Sequence, residues 1–189
     1  MPPRPFPSPL RIGTDLCNIP RIRSLITQKV NGNKGQPLEA FLTKILTHPE
    51  RTYFRDRFGN NDSVFRNVQG AAQFLAGRFA AKEACRKACD HLDTYTRGFK
   101  HIIILPVTAR HHEENQSQRP KGLILHEALP ELDKSKAAEQ ATFDVETLEG
   151  QFCEISISHD GDFASAVALV PSMKQEDQLL VQIARRTVR

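Results

Sequence analysis

At 189 residues, with 39% hydrophobic and 25% charged side chains, the chain has the composition of an ordinary globular protein and enough length for one well-buried core. Its longest apolar runs, such as HIIILPV at 101–107, fall far short of the ~20 residues a membrane-spanning helix needs. Lys plus Arg number 26 against 22 for Asp plus Glu, a formal charge of +4, which suits anionic partners and leaves nucleic acid, phosphorylated coenzymes and acidic proteins all open.

The proline-dense opening MPPRPFPSP lacks the apolar stretch of a secretory signal, and prolines this close together prevent the amphipathic helix of a mitochondrial presequence. An intracellular protein is expected. Leu10 to Cys17 reads as a strand, with Leu10, Ile12 and Leu16 on one face and Arg11, Gly13 and Asp15 on the other, so Asp15 is expected to point away from the apolar side. Asn18 followed by Pro20 predicts a helix start, the asparagine as cap and the proline where a missing N–H costs nothing. The resulting short helix, Pro20 to Thr27, carries Arg21 and Arg23.

After the turn cluster VNGNKGQ, Pro37 opens a helix with Leu38, Phe41, Leu42 and Ile45 at helical spacing. Thr47 and Glu50, around Pro49, resemble the capping box of the next helix. The longest periodic segment runs from Ser63 to His91, where Val64, Val68, Ala72, Leu75, Phe79 and Ala84 suit one apolar stripe of a single long helix. Ile102–Val107 and Gly122–His126 read as short strands flanking the polar loop HHEENQSQRPK, in which the adjacent His111 and His112 are expected to be exposed. A helix is expected over Ala137–Ala141, then two strands, Phe152–Ser158 and Phe163–Val170, around a His159-Asp160-Gly161-Asp162 turn. The tail from Lys174 reads as helical, with Leu179, Leu180 and Ile183 on one face. The whole, 1–189, is expected to be one domain with an extended connection at about 108–150.

Cys17, Cys85, Cys89 and Cys153 fall inside predicted strands and the long helix, without the tight pairs of a zinc site or the crowding of a disulfide scaffold, and are expected to be reduced, buried thiols.

Three segments can carry chemistry: IGTDLCNIPRI, FLAGRFAAKEACRKA and ISISHDGDFASAVAL. They offer a carboxylate at a strand end, a helix crowded with charge and a histidine beside a turn. Each has a plainer reading as well. Glu83 and Lys87 are spaced for a surface ion pair worth only ~0.3–0.5 kcal/mol. Asp15 alone suits a strand-end turn, and His159 a hydrogen-bonded turn histidine or a donor to phosphate. Against that, a Mg²⁺ site needs only one or two protein carboxylates, since substrate oxygens and water complete its octahedron, so Asp15 plus Glu83 would suffice.

Together the segments resemble the holo-acyl-carrier-protein synthase family, the short homotrimeric branch of the 4'-phosphopantetheinyl transferases. The family's Gly-x-Asp after an opening strand is met by Gly13-Thr14-Asp15, with Arg21 as the arginine six residues on. Its Lys-Glu-Ala with a lysine four residues after the glutamate is met by Lys82-Glu83-Ala84 and Lys87, and its Ser-x-Ser-His by Ser156-Ile157-Ser158-His159. FLTKILTHPE is similar to its Phe-x-x-x-Ile-Leu-Thr segment. The chain departs from the bacterial pattern after Ala88, where CDHLDTYTRGF replaces a glycine-rich turn, and in the longer stretch from Thr108 to Gly150. The extra length and the SISHDGDFASAVAL ending resemble fungal, freestanding mitochondrial members more than bacterial ones; otherwise the cytoplasm is implied.

The resemblance implies an α+β fold, a mostly antiparallel sheet wrapped against one long central helix. It implies transfer of 4'-phosphopantetheine from coenzyme A to a serine of apo-acyl carrier protein, leaving adenosine 3',5'-bisphosphate, in fatty acid biosynthesis. Asp15 and Glu83 would hold Mg²⁺, with Lys87 at the pyrophosphate oxygens and either Glu83 or a water on the metal as base. Arg78, Lys82, Ser158 and His159 would bind the coenzyme, His159 its 3'-phosphate, and Arg21 with Arg23 would meet the acidic carrier protein. Family pockets lie between the subunits of a homotrimer. The rival from another class is a basic nucleic-acid-binding module using Arg21, Arg23, Arg185, Arg186 and Arg189, but the sequence lacks the aromatic-plus-basic pattern that readout needs. Within the family, loss of catalysis or excision from a multidomain fatty acid synthase is the other alternative, against which the intact motifs argue.

Overall fold

In the computed structural model, which describes residues 9–29, 35–89, 92, 98–106, 119–131 and 143–171, the opening segment forms strand β1, Leu10–Asn18, and runs directly into helix α1, Ile19–Thr27. The junction is capped as the sequence suggests: the Asn18 side chain accepts from the Arg21 N–H at 2.8 Å, with Pro20 in the first turn. Helices α2, Gly35–Ile45, and α3, His48–Phe58, follow. The long helix predicted over Ser63–His91 is divided into α4, Asn61–Arg66, and α5, Val68–Ala88. Asn67 makes the break, leaving helical backbone and turning its side chain onto the Gly70 N–H to cap α5.

Strands β2, Ile102–Leu105, and β3, Lys121–Leu125, precede the hairpin of β4, Gly150–Asp160, and β5, Phe163–Pro171. The hairpin turns at Gly161, whose φ of 50° lies where residues with a Cβ are strained. All pairings are antiparallel, in the order β1-β5-β4-β3-β2, so the first strand closes one edge beside the last. The expected α+β arrangement, a mostly antiparallel sheet against one long helix, is the one observed. The expected helices over Ala137–Ala141 and from Lys174, and the exposed placement of His111 and His112, lie outside the described residues.

Helix α5 lies across one face of this sheet. Its alanines at 71, 72, 76, 80, 81, 84 and 88 are buried, and the small side chains let the strands come close. At Gly13 the approach is closest: a Cβ there would sit 1.9 Å from the Ala84 carbonyl oxygen. One core joins α5 to Ile22 and Ile26 of α1, Leu38 and Leu42 of α2, Phe54 of α3 and the inward residues of β4 and β5.

Asp15 lies opposite the apolar row, as the alternation predicts, but that row is not the buried face of the strand. Gly13, Asp15 and Cys17 form the inward face of β1, against α5, whereas Ile12 and Leu16 remain 67% and 62% exposed on the outward face. Register places Ile12 opposite Leu169 and Thr14 opposite Val167. With Leu10, Phe163 and Phe152, these residues make an apolar outer surface over β1, β5 and β4. Over β2 and β3 the same side of the sheet is covered, by Leu129, Phe143, Val145 and Leu148 around Ile103, Leu123 and Leu125.

Candidate active site

The seam between β1 and α5 gathers charge in a small space. Lys87 Nζ donates to Asp15 Oδ1 at 2.8 Å and to the Thr14 carbonyl at 2.9 Å. One turn earlier, the Glu83 carboxylate is 2.9 Å from Arg86 Nη1, both side chains being partly buried. Because Gly13 rests on Ala84, Asp15 is delivered to the edge of the helix from which Glu83 and Lys87 project one turn apart. The Asp15 side chain is only 14% exposed, while that of Lys87 is 52% exposed and able to swing.

Arg78 and Lys82 belong to another stripe of the same helix. Lys82 is completely buried, and its ammonium spends its donors on Glu50 at 2.6 Å, the Ile45 carbonyl at 2.9 Å and the Phe99 carbonyl at 3.0 Å. Burial pushes it down to about 8, against the pull of Glu50. The expected coenzyme-binding role of Lys82 is therefore corrected: it is a core cation with every N–H engaged. Arg78, 7% exposed, donates to the Ile104 carbonyl at 2.5 Å and the Pro106 carbonyl at 3.4 Å, with its guanidinium over the Phe74 and Tyr53 rings. It fastens α5 to the end of β2 and is turned away from the seam.

His159 lies on the inward side of β4, exposed, with Nε2 3.2 Å from the Gln73 carbonyl of α5. It rests over Gly77, where a Cβ would come within 3.0 Å of that nitrogen. Ser158, its neighbour, takes the opposite face by strand alternation and stands beside Ser165 on the outer surface. Within one chain, then, His159 and Ser158 do not share a site. Arg21 is exposed on α1, and Arg23 donates to Gln69 Oε1 at 3.1 Å, which places both at the α1 side of α5.

Two hard carboxylate donors on elements in contact fit a cation such as Mg²⁺ that takes one or two protein oxygens and leaves its remaining positions to substrate and water. Their present counter-charges differ: Lys87 is a surface group, whereas Arg86 is partly buried and stacked over the Phe99 ring. Among the described residues no group of three or more His, Cys, Asp or Glu side chains could hold a metal ion, so a closed, all-protein cage is not built here. Glu50 escaped the sequence reading as more than a helix cap. Its carboxylate also accepts from the Ile104 N–H at 3.1 Å and from Lys82, so it is the buried anion that draws that lysine inward. Gln73 gave no signal in the sequence, since it acts through its backbone carbonyl.

Comparison with known proteins places these features in context. A model of the 4'-phosphopantetheinyl transferase superfamily matches residues 11–143. The chain is 33% identical over 173 residues to 4'-phosphopantetheinyl transferase B, mitochondrial, of Aspergillus fumigatus, covering 87% of this chain and 95% of that protein. It is 33% identical over 168 residues to the holo-[acyl-carrier-protein] synthase of Gluconobacter oxydans, covering 87% and 83%. Among solved structures, the holo-[acyl-carrier-protein] synthase of Neisseria meningitidis is 25% identical, with a TM-score of 0.47 over 85% of this chain and 96% of that one.

Proposed function

We propose that this chain, which belongs to the 4'-phosphopantetheinyl transferase superfamily, transfers 4'-phosphopantetheine from coenzyme A to a serine of an apo-acyl carrier protein. The serine oxygen attacks the phosphorus that bears pantetheine, the P–O bond to the bridging oxygen breaks, and adenosine 3',5'-bisphosphate leaves. The observation that carries this reading is the β1–α5 seam, where Asp15 and Lys87 meet at 2.8 Å beside Glu83.

Asp15 and Glu83 would hold Mg²⁺, whose chemistry when bound is to neutralise charge on the coenzyme diphosphate. Glu83 takes the serine proton, directly or through a water it orients. Lys87, released from Asp15, offers its ammonium to the diphosphate oxygens as charge develops on the leaving group. His159 contributes a donor to the 3'-phosphate. Arg21 and Arg23 steer the acidic carrier protein, so raised salt slows encounter.

Subunit association belongs to the same reading. The apolar outer face of β1, β5 and β4 supports a homotrimer, and Ser158, which lies on that face, would reach coenzyme A only across a subunit boundary. A mitochondrial location is supported by the similarity to the mitochondrial Aspergillus fumigatus protein, and modification of an acyl carrier protein would serve fatty acid biosynthesis. No helix among the described residues is long and apolar enough to cross a membrane. No observation favours the nucleic-acid alternative: Arg23 is bonded to Gln69, and Arg185, Arg186 and Arg189 lie outside the described residues.

The deciding experiment is mass spectrometry of an apo-acyl carrier protein incubated with this protein, coenzyme A and Mg²⁺. The carrier should gain the mass of phosphopantetheine, and the gain should disappear on chelation with EDTA. A carrier of unchanged mass, tested with both a mitochondrial and a bacterial apo-carrier, would overturn the assignment.

A further inference from the structure

Helix α5 carries a second reactive group on the side facing the sheet. Cys85, fully buried, and Cys153, only 4% exposed, place their sulfurs 3.8 Å apart between α5 and β4. The neighbouring strand leaves room for this arrangement. Gly122 of β3 is paired with Cys153, and a Cβ at that glycine would come 2.4 Å from the Cys153 sulfur. A side chain at 122 would thus take the space that the thiol occupies. Cys17 and Cys89 are also buried thiols.

We propose that Cys85 and Cys153 form an oxidation site that closes to a disulfide when the folded protein meets a peroxide. The two sulfurs approach from 3.8 Å to the ~2.05 Å of a disulfide, a movement that side-chain rotation and small shifts of helix against strand must supply.

The chemistry has a direction. Cys85 is fully buried in the helix, whereas Cys153, on the strand, is 4% exposed, so Cys153 is the sulfur that peroxide meets first. Its thiolate is the attacking group. Its sulfur displaces one oxygen of hydrogen peroxide, giving a sulfenic acid and, after proton uptake, one water. Cys85 sulfur then attacks the sulfenic sulfur, a second water leaves, and the S–S bond forms. In sum, two thiols lose two protons and two electrons, and one peroxide becomes two waters. The bond would tie α5 to β4 at a position two residues from Glu83 and two from Lys87 in sequence.

The test does not depend on transferase activity. The folded, full-length protein is treated with hydrogen peroxide, denatured in the presence of a maleimide, digested and mapped by mass spectrometry. A peptide linking Cys85 to Cys153 is expected, cleaved by dithiothreitol, with Cys17 and Cys89 carrying maleimide. In Cys85→Ala the resolving thiol is missing, and dimedone should trap a sulfenic acid on Cys153 that does not accumulate in the unaltered protein. In Cys153→Ala, Cys85 should stay unreactive to dimedone. Recovery of Cys85 and Cys153 both as maleimide adducts after peroxide, a link from Cys153 to Cys89 instead, or a Cys85→Ala protein of unchanged circular dichroism in which Cys153 resists dimedone would each overturn the proposal.

Discussion

Lys82 and Glu83 are consecutive, both charged and both part of one motif, yet the helix turns them about 100° apart into opposite roles. Lys82 faces a buried anion, and removing it would strand the Glu50 carboxylate in the core. Breaking such a pair costs about 3–5 kcal/mol. Lys82→Met should therefore lower the denaturation midpoint sharply, and the double variant with Glu50→Gln should recover much of the loss. A Lys82→Met protein that melts normally but no longer binds coenzyme A would return the lysine to the ligand site. Glu83→Gln should do the reverse. Its pair with Arg86 is partly buried, but Gln keeps the shape and a hydrogen-bonding oxygen, so stability should fall by about 1–2 kcal/mol, while carrier modification falls by about a hundredfold or more; full activity would remove Glu83 from the chemistry. The motif made all these charges legible, but periodicity alone could not assign the inward one. That choice depends on Glu50, 32 residues earlier in sequence, and its capping role was the only part of its behaviour that local spacing could reveal.

Strand β1 shows the same division between pattern and placement. Its alternation was plain in the sequence, and so were its limits and the Asn18 cap that follows. The side that faces the core was not, because an apolar row is ordinarily turned inward and here Ile12 and Leu16 are turned out. What decides the matter is the helix. An alanine-faced α5 accepts a bare Gly13 against the Ala84 carbonyl, and that contact brings Asp15, two residues on, to Lys87. Gly13→Ala would force a Cβ into the 1.9 Å gap at Ala84. Overpacking of this kind costs about 1–3 kcal/mol or more, and the separation of strand from helix should also open the Asp15–Lys87 contact. Urea titration should show the lost stability, and carrier modification measured well below the denaturation midpoint should fall as well. A variant equally stable and equally active would mean that the seam is more compliant than its packing indicates. The break at Asn67 was likewise hidden, since residues 64, 68, 71, 72 and 75 continue one apolar stripe through a position where only side-chain capping of Gly70 reveals the change of helix.

At the scale of the molecule, the sheet is apolar on both sides, covered by α5 on one and on the reverse only over β2 and β3. The core lies under α5; on the reverse, Ile12, Leu16, Phe163, Val167 and Leu169 form a contiguous exposed surface along strands whose register sets them side by side. Such patches mark association surfaces, and proximity of Ser158 to this one would let a neighbouring subunit complete the coenzyme pocket. Ile12→Glu tests the connection directly. The residue is 67% exposed, so the substitution should leave the isolated fold and its helical circular dichroism intact while putting a charge on the face proposed to meet a neighbouring subunit. Where the unaltered protein sediments as the proposed trimer, the variant should shift to the single-chain mass. If pockets are shared between subunits, carrier modification should be lost in proportion and return in part at high protein concentration, where mass action restores assembly. An Ile12→Glu protein that sediments as a single chain with undiminished activity would show that one chain contains the whole site, leaving Ser158 outside it; an unaltered protein that already sediments as a single chain would remove the trimer altogether.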